Sequence, residues 1–234
     1  MGDVLEIASV ILAEANDRVE INAQNIANIN TSGYKRRISF SEVLATDPAA
    51  NSQASRLQVA SDFAPGKPIE TGIHSDLAIS GNGFFVVRSS DGVFYTRDGR
   101  FERDAEGRLT NAPGMVLQAH GGGDLVVRSA AFTVTADGTV LEDGQPTGRI
   151  AVLDFADRGA LRSAEGGVFA APDGLAEAMA APQVRQGFFE SSNVSSGDEV
   201  VAMMETLRRA ESAQRLVSVY DEMMGRALST FGQT

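Results

Sequence analysis

Residues 3–33, DVLEIASVILAEANDRVEINAQNIANINTSG, decide the architecture. No glycine falls between Asp3 and Ser32. Positions 5, 8, 12, 15, 19, 22, 26 and 29 are Leu, Ala, Leu, Ala, Val, Asn, Ile and Ile. Apolar residues at alternating spacings of three and four mark a helical seam. Val4, Ile7 and Ile11 widen the stripe in its first half, as for burial against more than one neighbour. The helix should end near Asn30-Thr31-Ser32-Gly33, where polar turn residues precede a glycine suited to a C-cap.

The other end of the chain mirrors this pattern. Positions 200, 203, 207, 210, 214, 217, 221, 224, 228 and 231 are Val, Met, Leu, Ala, Gln, Val, Asp, Met, Leu and Phe. Ser195, Ser196 or Asp198 can cap the start, and Asp198 and Glu199 suit the helix dipole. Two such helices at opposite ends are most economically paired as an antiparallel coiled coil. Its expected seam is Leu5, Leu12, Val19 and Ile26 against Val200, Met203, Leu207, Val217, Met224 and Leu228.

Between them the chain changes character. Residues 41–182 hold 18 of the 24 glycines. Five Asp-Gly pairs (91–92, 98–99, 137–138, 143–144 and 173–174) stand among short apolar runs such as Phe84-Phe85-Val86-Val87 and Ile150-Ala151-Val152-Leu153. Asp-Gly between apolar runs is a hairpin signal. The reading is therefore α+β. A discontinuous helical domain (1–40 and 183–234) and an extended connector (41–70) flank an antiparallel β-rich outer domain (71–182). Within the last, 171–182 reads as a second connector, with room for one helical turn.

Composition excludes most chemistry. The 234 residues include no Cys and only two His, His74 and His120. Disulfides, thiolate metal sites and Cys nucleophiles are out of reach, two His leave little for zinc or a His-based triad, and no catalytic, cofactor-binding or metal-ligating residue is expected. Gly81-Asn82-Gly83 precedes a strand and not a helix, so it reads as a turn and not a phosphate loop. Asp98, Asp104 and Glu106 sit among Arg97, Arg100, Arg103 and Arg108, which reads as a solvated, salt-bridged hairpin face and not an acid/base pair. The net charge of −11 argues against nucleic acid as a partner. About −8 of it lies in residues 41–182, so the ends are nearly neutral. No run is long and apolar enough to span a bilayer. Asp3 and Glu6, with no early cation, do not suit a cleaved secretory signal.

Two longer stretches are specific. Asn25-Ile26-Ala27-Asn28-Ile29-Asn30-Thr31-Ser32-Gly33-Tyr34-Lys35-Arg36 closes the first helix, and Gln186-Gly187-Phe188-Phe189-Glu190-Ser191-Ser192-Asn193-Val194 precedes the second. Thr71-Gly72, Asp76 to Val86, Tyr95 to Phe101 and Gly107-Arg108-Leu109 lie between them. Together these resemble the bacterial flagellar axial proteins of the rod and hook. Phe189 departs from the family pattern, which has Leu there.

The resemblance implies paired terminal helices lining a tubular polymer, with a β-rich domain outside. It implies a structural subunit of the periplasmic basal-body rod, nearer the short proximal members than the distal rod or hook. The partners it implies are copies of the chain, other rod proteins, neighbouring ring proteins and the flagellar type III export apparatus, without a cleaved signal. It makes Asn25, Ala27, Asn28, Asn30, Thr31, Gly33, Tyr34 and Lys35, with Gly187, Phe189, Glu190, Ser192, Asn193 and Val194, the candidate assembly motif. Asparagine amides at a helix end suit local capping and bridging to neighbours alike. From other classes, a secreted β-rich binding module on a helical stalk and a carboxylate hydrolase remain alternatives. Against them, a rod subunit purified as a monomer should exchange the amides of both chain ends fast.

Overall fold

The computed structural model describes residues 3–43, 55–172, 174–179 and 182–231. The fold is α+β. Helix α1 (Asp3–Ala27) opens the chain and α2 (Ser196–Phe231) closes it. By its contacts the chain forms two compact units. One comprises residues 1–27, 37–60 and 195–234, the other 28–36 and 61–194.

The helical unit holds both helices and the paired strands β1 (Arg37–Val43) and β2 (Ser55–Ser61), whose last residue belongs to the other unit. Asn25, near the end of α1, donates to Glu199 at the start of α2. Residues 11–18 share a groove with 206–216. The helices therefore run antiparallel. Ala8, Ala15 and Asn22 are buried on α1, seven residues apart, as are Glu199, Thr206 and Ala213 on α2. On α2 this row lies one residue before the expected positions 200, 207 and 214. Val200 and Leu207 are exposed, while Met203 and Val217 are half-buried. On α1, Leu12, Val19 and Ile26 are half-buried and Leu5 is exposed. The reason is steric. Small side chains at the closest approach let two helices come together, and bulky neighbours are turned to the flanks. Met224 is exposed, and the side chain of Leu228 lies outside the described residues.

The helix boundaries follow local chemistry. The Glu199 amide donates to the Ser195 carbonyl, which opens α2. The run Asn28-Ile29-Asn30-Thr31-Ser32, rich in turn-forming polar residues, ends α1 a turn earlier than its sequence predicts. The expected connector is not bare either. It contributes β1, β2 and β3 (Pro68–Glu70), while residues 44–54 lie outside the described part. In place of a helical turn, the expected second connector carries a strand.

The β unit begins its main run with β4 (Leu77–Ile79), β5 (Phe84–Ser89), β6 (Gly92–Thr96), β7 (Glu102–Arg103), β8 (Leu109–Thr110) and β9 (Val116–Leu117). A three-stranded antiparallel sheet follows from β10 (Phe132–Val134), β11 (Thr139–Glu142) and β12 (Gln145–Arg149). The chain continues through β13 (Val152–Phe155), β14 (Arg162–Ser163), β15 (Val168–Ala170) and β16 (Ala176–Ala178). It ends in β17 (Val184–Gln186) and β18 (Phe188–Glu190). The large sheet runs β14-β15-β6-β5-β9-β8-β7, with β13 beside β5 and β16 beside β13. The return strands β17 and β18 pair antiparallel with β4 and β3.

Turn chemistry explains part of this. Asp143 and Gly144 both have positive φ, at 50° and 77°, and close β11 onto β12 as a two-residue hairpin. Near Asp91-Gly92 a hairpin also forms, but its loop is Ser90-Asp91, because Gly92 already pairs with Ser89. Asp98-Gly99 makes no hairpin; the Gly99 carbonyl instead accepts from the Leu77 amide at 2.8 Å. Two apolar clusters fill the unit. Leu77, Phe85, Val87, Phe101, Leu109 and Leu117 belong to the larger. Phe84, Phe155, Leu161 and Phe169 form the smaller, with Phe63 and Tyr95 against it edge-to-face.

Candidate functional site

The candidate assembly motif divides between the two units. In the helical unit, Asn25 is fully buried. Its amide nitrogen donates to the Arg37 carbonyl at 2.8 Å and to Glu199 Oε2 at 3.1 Å. Its amide oxygen accepts from the Arg37 amide at 2.8 Å. One side chain thus reads both backbone groups of Arg37, where β1 starts, and holds the carboxylate of α2. Gln24 accepts from the Arg37 guanidinium beside it. Glu199, expected only to suit the helix dipole, is fully buried in this arrangement. A buried carboxylate needs charge-assisted hydrogen bonds.

The rest of the motif lies in the β unit. Residues 28–36 run beside 190–194. Thr31 Oγ1 donates to Asn28 Oδ1 at 3.0 Å, and the Thr31 amide closes a turn on the Asn28 carbonyl. The Gly33 amide donates to the Glu190 carbonyl at 2.7 Å. Gly33 has φ 65°, and a Cβ there would sit 2.2 Å from the backbone between Arg97 and Asp98. Only glycine fits both the turn and the close approach. The Arg36 amide donates to Asn193 Oδ1 at 2.7 Å, and Asn193 Nδ2 donates to the carbonyls of Asp62 and Ala64. Ala27 and Asn30 are exposed; Tyr34, Phe189 and Val194 are buried. Ser192 Oγ accepts from the Val194 amide at 3.3 Å. Gly187, at φ 77°, separates β17 from β18, and its carbonyl accepts from the amides of Thr71 and Gly72.

At the centre lies a buried ionic cluster. Lys35 Nζ is 2.5 Å from Glu190 Oε1 and donates to the Ala64 carbonyl at 2.9 Å. The Gly66 amide donates to the same carboxylate oxygen at 2.8 Å. Arg97 approaches Glu190 Oε2 at 3.6 Å and also donates to the carbonyls of Ile79 and Gly81. All three charged residues are less than a twentieth exposed. Burial lowers the pKa of Lys35 and of Arg97, and the Glu190 carboxylate opposes that shift in each. Burial also raises the Asp98 carboxyl, against hydrogen bonds from Arg100 and Ser32.

This cluster corrects the reading of Arg97 and Asp98 as a solvated hairpin face. Arg97 follows β6 inward, where the Glu190 carboxylate faces its charge and two carbonyls accept its hydrogen bonds. The solvated description holds further along: Arg108 pairs with Asp104 at 2.7 Å and with Glu106 at 3.4 Å, in positions that are partly or well exposed. Sequence reasoning also missed Gly66, whose Cβ would fall 1.9 Å from the Ser191 carbonyl oxygen. The one available signal was the run Thr96-Arg97-Asp98 within the family-like stretch. Among the described residues, no group of three or more His, Asp or Glu is placed to hold a metal ion. No described helix is long and apolar enough to cross a membrane.

Residues 78–142 match the flagellar hook protein FlgE/F/G D1 domain, and residues 185–230 match the flagellar basal body rod FlgEFG protein C-terminal family. The flagellar basal-body rod protein FlgF of Caulobacter vibrioides is 31% identical over 229 residues, covering 92% of each chain. FlgF of Salmonella typhimurium is 30% identical over 228 residues, covering 88% of this chain and 89% of its own. FlgG of Bacillus subtilis is 29% identical over 241 residues, covering 88% and 90%. With relatives of 30–31% identity covering 88–92% of it, the chain belongs to the flagellar basal-body rod protein family.

Proposed function

We propose that this chain is a structural subunit of the proximal rod, polymerising with copies of itself and with other rod proteins into the tubular shaft that transmits torque and conducts exported subunits. The observation that carries this reading is the apolar surface of the helical unit. Ile7, Val10, Val201, Met204, Leu216, Val219 and Met223 are between 42% and 65% exposed. Side chains of this size on both helices of a pair call for neighbours. Non-closing head-to-tail contacts between such surfaces generate a helical tube. The buried cluster around Glu190 and the Asn25 bonds give the two chain ends fixed local geometry, which a repeating lattice requires.

Two FlgF relatives at 30–31% identity favour the proximal assignment. The FlgG relative at 29% supports the distal rod as the second reading. The test is side-chain-resolution imaging of intact basal bodies from cells whose only copy of this chain is tagged. Density for it at the base of the rod supports the proposal. Density confined to the distal segment favours the second reading, and absence from purified rods removes both. Purified monomer offers a separate check. Slow amide exchange in residues 5–27 and 196–226 of a lone chain would contradict a subunit whose helices await neighbours.

A further inference from the structure

The β unit is closed by its last residues. Among the described strands, β3 and β4 at its start pair only with β18 and β17. The Gly187 amide donates to the Asp76 carbonyl, and the Ser191 amide to the Lys67 carbonyl. The first strands therefore have no ladder until the far end of the unit returns to them. Long-range pairing of this kind forms late, because the loop must close before the pairing rewards it.

Residues 28–36 depend on the same return. The Gly33 amide donates to the Glu190 carbonyl, the Arg36 amide to Asn193 Oδ1 and the Asn193 amide to the Tyr34 carbonyl. Their docking also sets two cations together. Lys35 and Arg97 are both buried, and Arg97 opposes the charge of Lys35. Asp62 favours the Lys35 charge, and Asp154 favours that of Arg97 against Arg158. Among the described residues, Glu190 is the carboxylate paired with both cations, at 2.5 Å and 3.6 Å. Without it, two buried cations would share a site with no anion paired to either, which is strongly unfavourable.

We infer that residues 28–36 form a strap that the Glu190 carboxylate closes: the strap stays off the β unit until β18 has docked and brought that charge. The strap follows directly from α1, which ends at Ala27, and residues 190–194 lead into α2, which starts at Ser196. Closure therefore gathers the stems of both helices on the β unit in one step, and a chain that has not yet placed β18 keeps them apart. The step takes place within one chain and does not depend on the rod assignment.

The test counts charge by amide exchange in the purified full-length chain. Glu190→Gln keeps the backbone carbonyl and the side-chain size but leaves both cations without their anion. Gly33 and Arg36 should then exchange at close to the rate of an unstructured chain. Gln118 and Leu125, whose amides bond to the Val86 and Leu117 carbonyls, should stay protected. Adding Lys35→Gln removes one cation together with the anion, and should restore most of the protection at Gly33 and Arg36. A residue that merely fills space would not respond to that second change. Protection of Gly33 and Arg36 that survives Glu190→Gln, or that the double variant fails to restore, overturns the strap. Should Glu190→Gln unfold the whole unit, pulsed exchange during refolding of the unmodified chain decides. Gly33 and Arg36 gaining protection no earlier than Gly187 and Ser191 supports the strap, and earlier protection overturns it.

Discussion

Glu190 shows how much a single residue can organise when it is charged and buried. It holds Lys35, Arg97 and the Gly66 amide through its carboxylate, and Gly33 through its carbonyl. Removing one partner of such a pair leaves a charge uncompensated. Lys35→Met should therefore destabilise the β unit by about 3–5 kcal/mol in urea unfolding, whereas an exposed cation such as Arg162 changed to Met should have little effect. Gly33→Ala adds a Cβ at positive φ against the Arg97–Asp98 backbone, and should cost at least ~2 kcal/mol by the same assay. A third expectation concerns acid. Hydrogen bonds from Thr135 and Thr139 hold the Asp137 carboxyl down at about 2. In the unfolded chain it titrates near 3.8, so between those values the unfolded state binds more protons. The stabilisation is complete above pH 3.8 and is lost as pH falls toward 2. Asp137→Asn should flatten the acid limb of the stability curve between those values and leave its neutral region with the same slope.

At the scale of elements, the two helices pair through small and polar side chains. Ala8, Ala15 and Asn22 are buried on α1, and Glu199, Thr206 and Ala213 on α2. Asn25 adds direction, because its bonds to Arg37 and Glu199 are available in one register. Asn25→Leu is expected to raise amide exchange at Arg37 by at least tenfold, as both backbone bonds vanish and Glu199 stays buried. An unchanged exchange rate would show that Asn25 merely fills space. The two helices and the strand-rich centre were legible from glycine placement and spacing. The row at closest approach on α2 was not. Hydropathy ranks Val200 and Leu207 above Glu199 and Thr206, but helix approach is decided by size and by hydrogen-bond partners elsewhere in the chain.

At the scale of the whole molecule, the division into units cuts across the chain ends. Residues 28–36 and 183–194 flank the helices in sequence, yet they pack in the β unit. A fragment of residues 28–194 should therefore unfold cooperatively. A fragment of 41–182, which lacks Lys35 and Glu190, should be less stable by several kcal/mol. Equal urea midpoints for the two would show that the ionic cluster contributes nothing to the β unit. The 28–194 fragment, which lacks both helices, should fail to enter rods while its fold persists, as measured by co-sedimentation with basal bodies.

The sequence by itself determined the class of fold, the two terminal helices and the family. These depend on local periodicity, glycine content and ordered motifs, which are written along the chain. Only the tertiary structure decided which groups the candidate motif residues meet. Asn25 meets Glu199 across 174 positions, and Lys35 meets Glu190 across 155. Nothing in the spacing of Arg97 distinguishes it from Arg100 or Arg103, and only the fold turns it inward to a buried carboxylate. Burial, and the partner a buried charge must find, are properties of contacts between distant residues, so they appear once the chain has closed on itself.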